Sequence, residues 1–368
     1  MKITVSKEEI QDKLQNIQNI VDKKNTMPIL SHFLLDTEEQ KAFIYATDLQ
    51  LAIKEPVEAT VQGPGKMCIP AKKLLEIVRE LEGDITLDSE DGQWVKGISG
   101  KSRFRLACLP SSEFPAWPGI ETEEEIVFNS EDLVEIIERT IYSAGEADTR
   151  YTLNGLLFHI KPEGVINVVG TDGHRLALII KETGHNIKEE KRLIIPRKAA
   201  SEIGKFVNPA KSGIESISIK IGKNHVLFKI AETDFLVRLI EGTYPNYEQV
   251  IPRNDKVLRL KREEFLKTLK RVSIMSRERS NAVKMEVSDG LLVISSSNPD
   301  LGEARDEIEV DYSGDALEIG FNARYIIDSL SAMKGDVVSF SLHDSLSPSL
   351  LMEEGEENYK CVIMPMRL

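Results

Sequence analysis

Hydrophobic and polar residues follow two periodicities along this chain. In some segments apolar residues recur every three or four positions, which predicts amphipathic helices. In others they recur at every second position, as in SISIKI (216–221) and LVISSS (292–297), which predicts half-buried strands. The two patterns alternate from end to end, and this alternation is typical of an α+β protein with antiparallel sheets.

The same order of elements occurs three times. An amphipathic helix with acidic residues in its first turn opens each copy, and Ser6 and Asn129 are suitable N-caps. These opening segments are SKEEIQDKLQNIQNIVDKK (6–24), NSEDLVEIIERTIYSAG (129–145) and KREEFLKTLKRVSIMSRE (261–278). A short strand end and a second helix follow, in IPAKKLLEIVREL (69–81), IPRKAASEIGKFV (195–207) and FNARYIIDSLSAM (321–333).

The copies also share one spacing. Pro70 and Pro196 are 126 residues apart, and Asn322 lies another 126 residues on. Related strands close the copies, in FRLACLPSSEFPAWP (104–118), FLVRLIEGTYPNYEQVIP (235–252) and YKCVIMPMRL (359–368). The repeat predicts three α+β domains, each with two helices packed on an antiparallel sheet. The expected domains are 1–121, 126–252 and 253–368.

Length and composition narrow the class of protein. A chain of 368 residues is too long for most single cores, in keeping with several domains. Cys68, Cys108 and Cys361 are far apart, so neither a zinc site nor a disulfide framework is predicted. No apolar run approaches the roughly 18 residues that span a bilayer, and MKITVSKEEIQ is too polar for a signal peptide. We expect a cytoplasmic protein.

The distribution of charge matters more than its total. A net charge of −13 argues against nucleic acid only if it is spread evenly. The six predicted helices carry +4 and the remainder −17, which suits a protein with one surface facing phosphate, although a solvated charged face is the simpler alternative. The candidate DNA-facing residues are Lys23, Lys24, Lys72, Lys73, Arg79, Arg150, Arg197, Lys198, Lys205, Lys267, Lys270 and Arg271.

One short segment, GTDGHRLALI (170–179), suggests catalysis, because Asp172 and His174 could act as a general acid and base. No nucleophile elbow, Walker A, dinucleotide or HExxH motif accompanies them. The alternative is a turn at Gly173, stabilised by a hydrogen bond to the Asp172 side chain, that leads Leu176 into a buried strand. The sequence therefore predicts a non-catalytic protein without metal or cofactor, and a hydrolase using Asp172 and His174 remains the less favoured reading.

Several motifs resemble one known family. TDGHRLA (171–177), YPNYEQVIP (244–252), NPD…GEA (298–304) and VIMPMRL (362–368) are similar to the bacterial DNA polymerase III β subunit, the sliding clamp. The resemblance covers the whole chain, including MPIL (27–30) and ATDL (46–49). It implies a clamp fold in which two chains join head to tail into a six-domain ring around duplex DNA, with the basic helices lining the hole.

The resemblance also implies partners. A ring would tether the DNA polymerase III catalytic subunit for processive replication, an ATP-dependent clamp loader would place it on DNA, and other polymerases and repair proteins would bind it. All would insert a short peptide with Leu and Phe anchors and a polar Gln into a pocket. No cofactor is implied. A peptide-binding scaffold that never encircles DNA is the rival, and the basic helices argue against it.

The resemblance assigns residues to two sites. The partner-peptide pocket would comprise Leu153, Thr171, Gly173, His174, Arg175, Leu176, Pro245, Val250, Tyr325, Ser347, Val362, Ile363, Met364, Pro365 and Met366. The dimer seam would comprise Lys73, Phe104, Leu106, Ile274, Met275 and Asp300. Gln249 departs from the family pattern, which often has Arg there, so the pocket rim is expected to be less cationic.

Overall fold

The structure is a computed structural model that describes residues 1–21, 27–89, 92–122, 124–207, 213–276 and 280–367. These residues form two compact units. Met1–Glu131 and Ser201–Leu239 make up the first, and Asp132–Ala200 and Ile240–Leu368 the second.

All six predicted helices are present among the described residues, and most are shorter than their sequence patterns. They are α1 (Lys7–Ile17), α2 (Ala71–Arg79), α3 (Ser130–Thr140), α4 (Arg197–Val207), α5 (Arg262–Ser273) and α6 (Ala323–Ala332). The Ser6 hydroxyl accepts a hydrogen bond from the backbone N–H of Glu9 (3.2 Å), and the Asn129 side chain accepts one from Glu131 (2.8 Å). Both predicted N-caps are therefore confirmed.

The first unit contains two antiparallel sheets. One has the spatial order β5 (Ala59–Gly63), β1 (Lys2–Val5), β7 (Ile85–Ser89), β8 (Trp94–Ser99) and β9 (Ser102–Ala107). The other has the order β10 (Glu124–Asn129), β15 (Ser216–Ile221), β16 (His225–Ile230), β17 (Thr233–Arg238), β4 (Leu51–Val57), β3 (Lys41–Thr47), β2 (His32–Glu38) and β6 (Gly65–Pro70).

The second unit is built in the same way. Its larger sheet has the order β14 (Lys191–Pro196), β11 (Gly155–Ile160), β12 (Val165–Thr171), β13 (Arg175–Glu182), β25 (Tyr359–Ile363), β24 (Ser349–Glu353), β23 (Val337–Leu342) and β18 (Lys256–Lys261). Its smaller sheet has the order β21 (Gly302–Glu309), β20 (Leu291–Asn298), β19 (Ala282–Ser288) and β22 (Leu317–Asn322). SISIKI and LVISSS are both strands, as predicted.

Each eight-stranded sheet joins strands from two sequence repeats. In the first unit β17 pairs with β4, with Val237 opposite Leu51. In the second unit β13 pairs with β25, with Leu176 opposite Val362. The strands of the central repeat are thus divided between the two units, and the compact units do not follow the repeat. Local patterns in the sequence cannot foretell this, because the pairing joins distant segments.

Paired helices cover the sheets with their apolar faces. Ile10 and Leu14 of α1 are fully buried, as is Leu74 of α2, which packs against it. In the second unit α5 and α6 pair in the same way, and Phe265 of α5 and Leu330 of α6 are fully buried. Burial of each such side chain stabilises the fold by about 1.5–3 kcal/mol. None of the helices in the described ranges is long and apolar enough to cross a membrane.

The three cysteines are buried and not disulfide-bonded. Burial raises the pKa of the Cys68 thiol to about 12. Burial also raises the pKa of Cys361, although hydrogen bonds from Tyr142 and Tyr359 oppose this. Because the thiolate is the reactive form, these side chains act as small apolar residues of the core.

Candidate functional site

A tight turn between β12 and β13 organises the site. The Asp172 carboxylate accepts hydrogen bonds through Oδ1 from the backbone N–H groups of His174 (2.9 Å) and Arg175 (3.0 Å). Its Oδ2 accepts from Nε of Arg175 (3.0 Å). The Thr171 hydroxyl accepts from Gly173 N–H (3.1 Å) and donates to the Arg175 carbonyl (2.6 Å). Asp172 therefore stabilises the turn, as expected of it, and does not serve as the acid or base of a catalytic pair.

Glycine is the favoured residue at the tip of this turn, at Gly173. Its φ of 83° lies in the left-handed region, which costs residues with a side chain about 1–2 kcal/mol. A Cβ at this position would also lie 2.5 Å from Nη1 of Arg150. Arg150 lies over the turn because its Nη2 donates to the Asp172 carbonyl (2.9 Å) and to Oδ2 of Asp148 (2.8 Å). Hydrogen bonds from Arg150 lower the pKa of Asp148 to about 2.

Arg175 is fixed from several sides. Its Nη1 donates to Oδ2 of Asp328 (2.6 Å), and Nε to Asp172. Its guanidinium also lies 4.6 Å from the ring centroid of Tyr325 and 5.5 Å from that of Tyr142. Its charge is thus balanced by two carboxylates and two aromatic faces, so it forms a rigid wall and not a free cation.

A groove with about 300 Å³ of space opens beside this turn. Apolar side chains predominate in its lining, and its two arginines both pair with carboxylates. It is lined by Arg150, Thr152, Leu153, Thr171, Gly173, Arg175, Leu176, Pro245, Tyr247, Val250, Val362 and Met364. Such a surface suits an extended peptide with apolar anchors better than a charged small molecule.

A buried polar network fixes the groove wall at Tyr247. The Tyr247 hydroxyl lies 2.7 Å from Nδ1 of His159 and accepts from Nδ2 of Asn167 (2.8 Å). Nε2 of His159 lies 2.7 Å from a Glu190 carboxylate oxygen. Because an ionised carboxylate can only accept, Nε2 of a neutral His159 carries the proton, and Nδ1 accepts from Tyr247. The groove wall is thus tied to the sheet beneath it.

Nine residues predicted for the partner-peptide pocket lie in this groove. They are Leu153, Thr171, Gly173, Arg175, Leu176, Pro245, Val250, Val362 and Met364. Sequence reasoning did not assign Tyr247 and Thr152 to it. Tyr247 is only 1% exposed, and the signal that could have found it is its place in YPNYEQVIP, in the same motif as Pro245.

Six other predicted pocket residues do not line the groove. Ile363 faces away from it, because side chains alternate along β25 and its neighbours Val362 and Met364 face the groove. Met366 pairs with Gly320 and lines a different hollow against the four-stranded sheet. The others are His174, Tyr325, Ser347 and Pro365. Of these, His174 contributes its carbonyl to Met364 N–H (2.9 Å), and Tyr325 supports Arg175.

The residues predicted to face DNA have different environments. Arg150 lines the groove, and its assignment to a DNA-facing surface stays a prediction. Arg197 is half-buried and lies 3.4 Å from Glu146. Lys24, like Lys23, lies outside the described residues. The remaining predicted residues are exposed on their helices, namely Lys72, Lys73, Arg79, Lys198, Lys205, Lys267, Lys270 and Arg271.

The residues predicted for the dimer seam lie next to two sheet edges. β9 is the outermost strand of its sheet among the described residues; Phe104 and Leu106 are half-buried on one face, and Arg103 and Arg105 are exposed on the other. The Phe104 ring lies over Gly97 of β8, where a Cβ would overlap it. Lys73 pairs with Glu76 within the chain (2.6 Å).

β21 is the corresponding edge of the second unit within the described ranges. Its exposed residues are mainly acidic, namely Glu303, Arg305, Glu307 and Glu309. Met275 lies 3.4 Å from where a Cβ on Gly302 would stand. Ile274 is 74% exposed, which is unusual for an apolar residue of this size, and Asp300 is exposed as well. This edge therefore combines exposed apolar groups with negative charge.

No group of three or more metal-ligating side chains is found within the described ranges. The one sequence feature that suggested chemistry is the turn at Asp172, whose carboxylate is taken up by N–H groups. The groove and the two edges thus remain the features that require a functional explanation.

Comparison with known proteins gives a consistent result. Family models described as the N-terminal, central and C-terminal domains of the DNA polymerase III beta subunit match residues 1–118, 127–246 and 248–367. A curated protein named beta sliding clamp from Caulobacter vibrioides is 34% identical over 375 residues, and one from Escherichia coli K12 is 33% identical over 372. Each alignment covers 100% of both chains.

Solved structures agree with this. The DNA polymerase III subunit beta from Pseudomonas aeruginosa is 32% identical and superposes with a TM-score of 0.93. The sliding clamp from Bartonella birtlesii, solved bound to griselimycin, is 33% identical with a TM-score of 0.95. Both comparisons cover 100% of each chain.

Proposed function

The chain belongs to the DNA polymerase III beta subunit family, and from this premise we propose that two copies close head to tail into a ring around duplex DNA. The chain is a sliding clamp of DNA replication, a processivity subunit and not itself a catalyst, built from three clamp domains. We propose that these domains are 1–121, 126–252 and 253–368, in the cytoplasm. They differ from the two compact units because the sheets cross the repeat boundaries.

The observation that carries the ring proposal is the pair of uncovered sheet edges. β9 offers Arg103 and Arg105, and β21 offers mainly carboxylates. An edge strand has unpaired N–H and C=O groups that favour pairing with another chain, and opposite charges select the partner edge. Because the two edges differ, the contact is heterologous, and a heterologous contact that closes forms a ring.

In such a ring the proposed DNA contacts are sequence-independent. Exposed basic residues on α2, α4 and α5 would lie near phosphate, and their contacts position the duplex without reading bases. Several of these residues already pair with neighbouring carboxylates, as Lys205 does with Glu202 (2.7 Å) and Lys267 with Glu263 (3.4 Å). This partial neutralisation supports weak contacts that permit sliding, so retention would depend on topology.

Retention on circular DNA tests the ring. The protein is loaded onto nicked circular plasmid by a clamp loader with ATP and filtered at about 0.5 M NaCl, where electrostatic binding is largely lost. We expect it to remain with the circle and to leave once the plasmid is cut. Equal loss from circular and linear DNA would show that no ring encloses the duplex.

We also propose that the groove receives the partner peptide of the polymerase catalytic subunit, clamp loader and repair proteins. Leu153, Leu176 and Val362 supply apolar contacts, and half-buried Met364 can adapt to different anchors. The paired state of Arg150 and Arg175 favours a neutral or weakly polar peptide. Gln249, which lies in the exposed Glu248–Val250 stretch next to the groove, adds no positive charge.

Methionines in two different hollows provide a matched test of this groove. We expect Met364→Ala to weaken binding of a fluorescein-labelled Gln-Leu-Ser-Leu-Phe peptide about tenfold, through lost apolar contact. Met366→Ala should leave the affinity unchanged, because Met366 lines the hollow at the four-stranded sheet. Fluorescence anisotropy measures both. Equal effects of the two changes would place the peptide elsewhere.

A further inference from the structure

The first unit contains a second hollow that no comparison explains. It has about 330 Å³ of space, close to the 300 Å³ of the groove. Its walls include Leu34, Phe114 and Trp117, and its rim carries His225 and Arg238. It lies where β4 pairs with β17, just as the groove lies where β13 pairs with β25.

The two hollows are built on the same turn. In the second hollow Asp48 accepts from the backbone N–H groups of Gln50 (2.9 Å) and Leu51 (2.7 Å). The Thr47 hydroxyl donates to the Leu51 carbonyl (3.0 Å) and accepts from Leu49 N–H (2.9 Å). These contacts reproduce, one for one, those of the Asp172 turn. The repeat has therefore preserved the floor of the groove at a second place.

The walls correspond as well. Arg238 N–H donates to the Gln50 carbonyl (2.8 Å), and Met364 N–H donates to the His174 carbonyl (2.9 Å). Arg238 thus stands at the position that Met364 occupies in the groove. The segment 114–117, FPAW, lines the second hollow, and Pro245 and Tyr247 of the similar segment YPNY (244–247) line the groove.

Two differences point to a ligand of another kind. Leu49 replaces the glycine at the tip of the turn; its φ is 74° and it is 46% exposed. A leucine in the left-handed region costs about 1–2 kcal/mol, and strain of this kind concentrates at functional sites. Because an exposed leucine adds little to the core, its side chain is better explained as a contact for an apolar group.

The second difference is charge. Arg150 and Arg175 of the groove pair with carboxylates. Arg238 is exposed and takes part in no ion pair with the described residues. In the same hollow Oδ2 of Asp36 pairs with Nζ of Lys66 (2.7 Å), which balances the charge of that carboxylate, while Oδ1 has no hydrogen-bond partner among the described residues. The rim is therefore positively charged at Arg238, beside His225, and would be complemented by an anion.

We propose that this second hollow binds an extended peptide in which an aliphatic and an aromatic side chain are followed by a carboxylate. Phe114, Trp117 and Leu49 would enclose the apolar side chains, and Arg238 would pair with the carboxylate. This proposal does not rest on ring formation or on peptide binding at the groove. It gives each chain a second docking site with a different charge preference.

The test uses the full-length protein and the labelled peptide Gly-Ser-Leu-Phe-Asp-Asp, with Gly-Ser-Leu-Phe-Asn-Asn as the neutral match. Anisotropy should show saturable binding of the acidic peptide and about tenfold weaker binding of the neutral one. Arg238→Glu should lower affinity for the acidic peptide at least about tenfold, and Arg238→Gln by less. Arg238 is exposed, so neither replacement disturbs the core, and unchanged thermal unfolding verifies that both variants are folded.

Two further measurements locate the peptide. The chain has two tryptophans, so in a Trp94→Phe background the emission of Trp117 should shift on addition of the acidic peptide. Met364→Ala, which alters the other groove, should not weaken this binding. The proposal is overturned by no saturation up to about 1 mM, by equal affinity for the two peptides, or by loss with Met364→Ala but not with Arg238→Glu.

Discussion

His159 is buried beneath the groove wall, with a hydrogen-bond partner at each ring nitrogen. Burial lowers its pKa, the charge of Arg192 lowers it further, and Glu190 opposes both. Burial likewise lowers the pKa of His32 and of His225. Since the unfolded chain has histidine pKa values of about 6.5, it binds more protons than the folded chain just below that pH.

This difference predicts acid destabilisation. Stability should be greatest above about pH 6.5 and fall as the pH drops from there toward the folded pKa, at most by about 1.4 kcal/mol per pH unit for each histidine. His159→Gln should reduce that slope and also loosen Tyr247, lowering affinity for the groove peptide at pH 7. Urea unfolding at pH 7.5, 6.5 and 5.5 measures the slope.

His174 provides the matched control for this prediction, since its side chain is exposed and does not line the groove. His174→Gln should leave the affinity for the groove peptide at pH 7 unchanged, because His174 does not line the groove. The same slope in the His159→Gln and natural chains would contradict the assignment of His159 as a buried neutral base.

Residue roles were predictable only where a side chain's place follows from strand alternation or a motif. Leu176 and Val362 could be assigned to the groove in this way. Arg150 could not be assigned to the groove, because a positive charge shows that an anion is needed but not which anion. Here the Asp148 carboxylate and the Asp172 carbonyl accept its hydrogen bonds. The place of Met366 could not be foreseen from its motif, because the chain leaves β25 after Ile363 and runs to the other sheet.

At the scale of elements, the proposed seam between the two sheet edges predicts how charge affects assembly. Reversing charge with Arg103→Glu and Arg105→Glu should place like charges opposite Glu303 and Glu307, and like charges across paired strands destabilise the pairing. We expect the dimer dissociation constant to rise about 100-fold. Sedimentation equilibrium measures it.

A charge swap separates this effect from misfolding. Adding Glu303→Arg and Glu307→Arg to the reversed chain should restore the dimer, because both edges then carry exchanged charges. These edges do not form the seam if the chain with Arg103→Glu and Arg105→Glu dimerises as tightly as the unaltered chain. The same follows if the charge-swapped chain does not regain the dimer.

Helix starts were predictable within one or two residues, helix ends less well, and strand partners not at all. Ser6 and Asn129 mark helix starts, because Ser and Asn side chains accept hydrogen bonds from the free N–H groups of a first helical turn. The pairings of β4 with β17 and of β13 with β25 join residues nearly 190 positions apart. No local pattern distinguishes these partners from any other buried strands of similar length.

At the scale of the whole molecule, the fused sheets predict that the central repeat is not independent. Residues 126–252 expressed alone would lose β4 beside β17 and β25 beside β13, which leaves two hydrophobic edges uncovered. We expect this fragment to aggregate or to lack a cooperative thermal transition, whereas the full chain unfolds cooperatively. Circular dichroism and light scattering during heating compare them.

A soluble, cooperatively melting fragment would contradict this prediction. It would mean that the central repeat folds on its own contacts and that the cross-repeat pairings contribute little to its stability.

The fused sheets also have a mechanical consequence. Within each unit, a load applied across the eight strands is carried by seven consecutive backbone hydrogen-bonded ladders that run through the repeat boundary without a break. A protein that must be opened and resealed around a polymer needs one contact weaker than all the others, so that rupture occurs at a defined place. In an assembly of two such chains, the continuous sheets hold the repeats together at their boundaries. The contact between the chains is then the place where the assembly opens.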